Sequence, residues 1–160
     1  MKEATQRVVT ALAAAGVQAD VVEFAESTRT AVEAAAAVGT TVGQIVKSLV
    51  FLAGDEPVMA LVSGANRLDQ ALLAAHVGQP VRRASAGDVR TATGYAIGGV
   101  PPVGLVRPLA VYIDRDLTAY ETVYAAAGTP HTVFPIASAA LVRATGGVVL
   151  DLAAQERESE

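Results

Sequence analysis

Apolar side chains recur at helical spacing near the start of the chain, at Val8, Leu12 and Ala15, and Gly16 follows as a stop. This predicts a first helix over Lys2–Ala15. Val17–Phe24 alternates and reads as a strand. Thr30-Ala31-Val32-Glu33 places a hydroxyl three residues before a carboxylate, the capping-box arrangement that opens a second helix, and Gly39 closes it. The period then shortens. Ile45–Ala53 and Pro57–Ser63 are apolar runs of strand length, joined as a hairpin by Gly54-Asp55-Glu56. Asn66-Arg67-Leu68-Asp69 caps a third helix ending near Val77-Gly78, and Ser85-Ala86-Gly87-Asp88 caps a short fourth. Strands follow near Leu109–Asp114, Glu121–Ala125, His131–Ile136 and Val148–Leu152. A last helix, Ser138–Thr145, is stopped by Gly146-Gly147. Helices and strands mix without strict βαβ alternation. The expected fold is α+β, one domain over residues 1–154 with a mixed, barrel-like sheet flanked by helices, and a charged tail at 155–160.

Two places break the pattern. Lys47 interrupts the apolar run Ile45-Val46-Lys47-Ser48-Leu49-Val50-Phe51-Leu52. On a strand it shares a face with Ile45, Leu49 and Phe51, while Val46, Ser48, Val50 and Leu52 take the other. A lysine there packs its stem and wets its ammonium at the sheet's end, or holds its cation at a pocket rim against a carbonyl or phosphate oxygen. The second place is Gly98-Gly99-Val100-Pro101-Pro102-Val103-Gly104. Glycines free the backbone and prolines fix φ and remove donors, so this stretch suits neither a helix nor a central strand. It makes a stiff loop of bare backbone that a ligand can approach, with amides at Gly98, Gly99 and Val100 as donors.

Composition narrows the chemistry. The chain has 160 residues, 52% of them hydrophobic and only 4% aromatic, so its core is built from small and β-branched side chains. It has no cysteine, hence no disulfide, thiolate nucleophile or cysteine metal site. The two histidines, His76 and His131, are far apart, and no His-x-x-His or Glu-x-x-His spacing occurs, which leaves no expected metal or other cofactor. His76 reads as a helix C-terminal histidine, and His131 as a turn histidine or a pocket group. Asp114 and Asp116 read as turn residues with a local ion pair to Arg115, and Ser63-Gly64-Ala65-Asn66 as turn and cap. No Walker, Rossmann or nucleophile-elbow pattern is present. A net charge of −4 excludes a broad basic nucleic-acid face but not a small contact with one RNA end. Arg82, Arg83, Arg90 and Arg107 are scattered solvated residues or a local patch. With no apolar run of membrane length and no signal-peptide core, a cytoplasmic protein with no membrane partner is expected.

Val42-Gly43-Gln44-Ile45-Val46-Lys47-Ser48-Leu49-Val50-Phe51 and, later, Thr93-Gly94-Tyr95-Ala96-Ile97-Gly98-Gly99-Val100-Pro101-Pro102-Val103-Gly104 resemble the YbaK family of aminoacyl-tRNA deacylases, also found as the editing insertion of bacterial prolyl-tRNA synthetases. The stretches Thr30–Gly39, Tyr112-Ile113-Asp114 and Ala126-Ala127-Gly128-Thr129 carry the likeness from about Val22 to Leu152. The resemblance implies hydrolysis of the ester between a wrong amino acid and its tRNA, of the prolyl or a related class, without metal or covalent nucleophile. The tRNA's terminal ribose hydroxyl assists the water. Lys47 and Gly98 then stand as catalytic. Ser48, Gly99, Val100, Pro101, Pro102, Gly128 and His131 stand as substrate-binding. The implied partners are the acceptor end of mischarged tRNA and an aminoacyl-tRNA synthetase, with the chain a monomer or a homodimer. Many members carry a Ser-Gly-x-Arg-Gly turn where this chain has Ala127-Gly128-Thr129-Pro130-His131, which leaves the amino acid and the tRNA contacts open. The alternative is a non-catalytic adaptor of the same fold that binds RNA or a synthetase.

Overall fold

The computed structural model describes residues 1–28 and 30–155; of the expected tail at 155–160, all but Gln155 lies outside the described residues. In chain order the elements are α1 (Glu3–Ala14), β1 (Val22–Glu23), α2 (Ala31–Val38), a 3₁₀ turn (Val42–Gln44), β2 (Val46–Ala53), β3 (Glu56–Ser63), α3 (Gln70–Val77), β4 (Val81–Arg83) and α4 (Ala86–Thr93). Then come β5 (Ala110–Asp114), a second 3₁₀ turn (Arg115–Ala119), β6 (Thr122–Ala126), β7 (Thr132–Ala137), α5 (Ser138–Thr145) and β8 (Val148–Leu150).

The local signals act as written. The Thr30 hydroxyl accepts the Glu33 amide at 3.1 Å and opens α2. Asp69 accepts the amides of Ala71 and Leu72 and opens α3. Ser85 and Asp88 exchange side-chain and backbone bonds at the start of α4. Each cap satisfies helix donors that otherwise lack a partner.

The α+β class holds, but the strands form two sheets rather than a closed barrel. One has the order β4-β2-β3-β5-β8 and the other β1-β7-β6. In the larger sheet β3–β5 and β5–β8 are parallel and the other pairs antiparallel. A single parallel bridge, Ile45 to Tyr124, joins the two sheets. The main core lies between them and under α1 and α5, with Val46, Val50, Met59, Leu61, Ile113, Val123 and Phe134 buried. The far face of the larger sheet buries Phe51, Val58, Ala60 and Val62 against Leu73 of α3. Each of the larger of these side chains, taken out of water, contributes about 1.5–3 kcal/mol.

Two differences from the sequence pattern have simple causes. Of the expected strand Val17–Phe24, only Val22–Glu23 pairs, with β7. Val17, Ala19 and Val21 turn alternately inward onto the core, so the period of two is met by packing without a ladder. Strand β4 is only three residues long and contains two arginines, too little pattern to read, yet it pairs with Phe51–Ala53 of β2.

That short pairing positions the site. Strand β3 accompanies β2 from end to end, whereas β4 covers only its last three residues. On the β4 side, the first half of β2 has no strand paired along it beyond the Ile45–Tyr124 bridge to β6, which leaves a gap.

Candidate functional site

The gap is a pocket of about 300 Å³. Its walls come from the first half of β2, from α2 with Thr28 before it, from β6 and β7 of the smaller sheet, and from the loop after α4. Because the pocket meets β2 edge-on, consecutive residues Ile45–Val50 all border it. Lys47 and Ser48 therefore reach the same space although they lie on opposite faces of the sheet. The remaining wall is mostly small and apolar, including Val89, Val100, Ala126 and Val133.

Lys47 donates to the backbone carbonyl of Asn66. Partial burial holds its ammonium below the ordinary lysine range; the Asp114 carboxylate works against this, and the Arg83 guanidinium adds to it. The Ser48 hydroxyl is buried and has no hydrogen-bond partner among the described residues.

The opposite wall is the loop Ala96–Val100. Gly98 adopts φ +92°, a conformation that favours glycine, and lies beside Pro130. At Gly99 the reason for glycine is contact: an added Cβ would stand 2.8 Å from the Thr129 Cα and 2.9 Å from the Gly128 carbonyl oxygen. The loop ends are tied by Tyr95, whose hydroxyl donates to Gly104 O at 2.7 Å and whose amide donates to the Thr93 hydroxyl at 3.1 Å. Arg7 of α1 covers the Tyr95 ring at 5.0 Å. The Gly99 amide is committed to Ala96 O at 3.0 Å, so only the Gly98 and Val100 amides are candidates to meet a ligand oxygen.

Of the residues singled out by sequence, the pocket brings together Lys47, Ser48, Gly98 and Val100. Gly99 and Pro101 stand behind that wall. Pro102 lines a separate hollow with Ala11 and Arg107. Gly128 packs on Ala4 of α1, where its Cβ would stand 2.8 Å from the Ala4 carbonyl oxygen. The His131 backbone accepts from Phe24 at 2.7 Å and Pro130 O from Thr28 at 2.9 Å, so the divergent turn supports the segment that brings Thr28 to the wall. The four arginines do not form one patch: Arg83 is at the pocket, while Arg107 faces Glu56 at 3.7 Å beside the separate hollow. Arg115 pairs with Asp151 at 2.9 Å, not with Asp114 or Asp116. His76 sits in the last turn of α3 as expected.

Thr28, Tyr124 and Thr132 also line the pocket and were not signalled by the sequence. They arrive through strand pairing and turns, and no local motif marks them. Among the described residues no three His, Asp or Glu side chains converge to hold a metal ion, and no helix is long and apolar enough to cross a membrane. The arrangement offers two cations, Lys47 and Arg83, a few amide and hydroxyl donors and a small apolar chamber. Such a site suits an already reactive carbonyl that needs orientation and charge stabilisation more than a strong base.

Comparisons with known proteins give a family and similar structures. A family model described as "Aminoacyl-tRNA editing domain" matches residues 25–144. The chain is similar to a solved structure described as "Crystal structure of a putative trans-editing enzyme for prolyl tRNA synthetase". The two are 48% identical with a TM-score of 0.92, over 97% of this chain and 99% of that one. It is 33% identical over 118 residues to the "Uncharacterized protein YwhH" of Bacillus subtilis (strain 168), covering 73% of this chain and 75% of that protein. It is 28% identical over 138 residues to the "Putative Cys-tRNA(Pro)/Cys-tRNA(Cys) deacylase EbsC" of Enterococcus faecalis (strain ATCC 700802 / V583), covering 84% of each.

Proposed function

The chain belongs to the aminoacyl-tRNA editing domain family, and from that premise we propose that it is a trans-editing hydrolase that deacylates mischarged aminoacyl-tRNA of the prolyl or a related class. The observation that carries this reading is the pocket itself, where Lys47 lines one small chamber together with Gly98 and Val100. The resemblance of the whole chain to the structure named for prolyl-tRNA trans-editing supports the tRNA class.

In this reading the 3′ end of the tRNA lies across the pocket mouth and the aminoacyl side chain enters the apolar chamber. Lys47 holds the ester region or the terminal nucleotide. The Gly98 and Val100 amides are aimed at the carbonyl oxygen, where negative charge develops as water attacks. Water adds to the carbonyl carbon and the ester C–O bond breaks. The proton leaves with the ribose oxygen, helped by the neighbouring ribose hydroxyl, and no metal is required. A small, stiff chamber suits proofreading. Binding alone separates side chains that differ by one methylene by only about 1–3 kcal/mol, so a second hydrolytic site adds discrimination.

The test is a panel of mischarged tRNAs incubated with the purified chain. The expected result is turnover above buffer hydrolysis on at least one tRNA of the prolyl class. Saturable binding with no turnover across the panel would replace this reading with that of a non-catalytic adaptor.

A further inference from the structure

Strand β5 ends at Asp114, which is only 1% exposed, although no catalytic step above uses it. Its Oδ2 accepts from the Ser63 amide at 3.0 Å and from Asn66 Nδ2 at 2.9 Å, and its Oδ1 accepts from the Asp116 amide at 3.0 Å. Asn66 Nδ2 also donates to Asp116 Oδ2 at 2.7 Å. The backbone carbonyl of the same Asn66 receives the Lys47 ammonium. Asn66 thus has its side chain clamped by two carboxylates and its carbonyl turned to the pocket cation. The turn itself is tied by the Asn66 amide to Ser63 O at 2.9 Å and the Gly64 amide to Ile45 O at 2.7 Å, and the side-chain clamp adds the link from Asn66 to β5.

We propose that Asp114 is a positioning residue: its buried carboxylate, acting through the Asn66 side chain, holds the Asn66 carbonyl where it captures the Lys47 ammonium and fixes that cation at the pocket. A buried carboxylate is costly unless it is well bonded. Three donors and a nearby cation meet that condition here, and a fixed cation is what a positioning site requires. The charged and titratable groups around Lys47 are Asp114 at the end of β5, Asp116 beyond it, Arg83 on β4 and Tyr124 across the pocket on β6. Asp114 is the one that opposes the effect of burial on the ammonium.

The chain has only two lysines, Lys2 and Lys47, so the ¹³Cε resonances of lysine-labelled protein report Lys47 directly, with Lys47→Arg giving the assignment. Removing the carboxylate charge in Asp114→Asn is expected to move the Lys47 titration midpoint to lower pH by about one unit, with Lys2 unmoved. Asn66→Ala, which keeps the backbone carbonyl but releases its clamp, moves Lys47 in the same direction by less. On a mischarged tRNA that the wild type hydrolyses, Asp114→Asn lowers kcat about tenfold and leaves KM within about twofold. The alkaline limb of kcat follows Lys47 down. An aspartate that acts on Lys47 by its charge alone moves the midpoint in Asp114→Asn but not in Asn66→Ala, where both carboxylates remain. An unmoved Lys47 midpoint in folded Asp114→Asn overturns the proposal. An unmoved midpoint in folded Asn66→Ala overturns it equally, whether or not Asp114→Asn folds. The kinetic arm rests on the editing reading and the lysine titration does not. A wild type inactive across the panel therefore sinks the editing reading while the titration still decides this one.

Discussion

The two walls of the pocket are held by opposite means. The β2 wall is placed by register: every residue from Val46 to Ala53 is paired with β3, and the pocket merely borders the half of the strand that β4 leaves uncovered. The loop wall has no ladder. It is placed by close approach of Gly99 to Thr129, by the conformation of Gly98, and by Tyr95 closing the loop onto Gly104. On the strand wall the backbone is fixed independently of the side chains, so those side chains are free to carry chemistry. On the loop wall the backbone itself is the functional surface, and its position depends on side chains being absent. The first wall should therefore separate activity from stability under mutation, and the second should not.

The largest expected effect tests the strand wall. Lys47→Ala removes the cation while the ladder to β3 stays intact. The deacylation rate is expected to fall about 10²–10³-fold, because the ester loses the group that holds it in place for attack. The melting temperature should hold within a few degrees, since a partly buried lysine contributes little net stability once its desolvation is counted. Full rate retained on the preferred mischarged tRNA would show that the cation is not part of the reaction.

Next comes the loop wall, where the two losses should travel together. In Gly99→Ala the new Cβ meets backbone atoms of Gly128 and Thr129, which cannot rotate away as a side-chain end would. The loop or the turn must move. The expected cost is about 3 kcal/mol of stability, with a rate loss of about 10²-fold because a displacement near 1 Å misaligns the amides. Urea unfolding and single-turnover deacylation on the same preparation measure both. Reduced stability with an undiminished rate would mean that the loop backbone does not line the reacting position.

The contrast also explains what could be read from the chain before its structure. Capping residues, the Gly54 hairpin, α2 and α5 were legible because their causes lie within a few residues. Lys47 and the Gly98–Val100 loop were legible as oddities, a charge in an apolar run and prolines after glycines. Their meeting was not derivable from spacing, and the resemblance of the two motifs to a known family supplied it. Asn66 and Asp114 were read as turn residues, since their partners lie 19 and 48 positions from Asn66 and no local pattern marks such pairs. The edge-on gap was invisible for a related reason. It exists because β4 stops after three residues, and alternation along β2 cannot report how long its neighbour is.

The smallest expected effect falls again on the strand wall, at Ser48. Its hydroxyl is buried without a partner among the described residues, and the residue lines the pocket. A hydroxyl left unbonded in the folded chain costs stability, roughly 1–3 kcal/mol when fully buried. Ser48→Ala removes that cost and one oxygen while the strand register remains. The melting temperature is expected to equal or slightly exceed that of the wild type. If the hydroxyl turns to meet the bound aminoacyl group, the same variant should raise KM by about three- to tenfold, the worth of one ordinary hydrogen bond, and leave kcat nearly unchanged. Thermal melting together with KM separates the outcomes. A raised KM with an unchanged or higher melting temperature places the hydroxyl on the substrate. A fall in melting temperature at constant KM places it in a bond within the protein, and Lys47 is then the one polar side chain that β2 brings to the substrate.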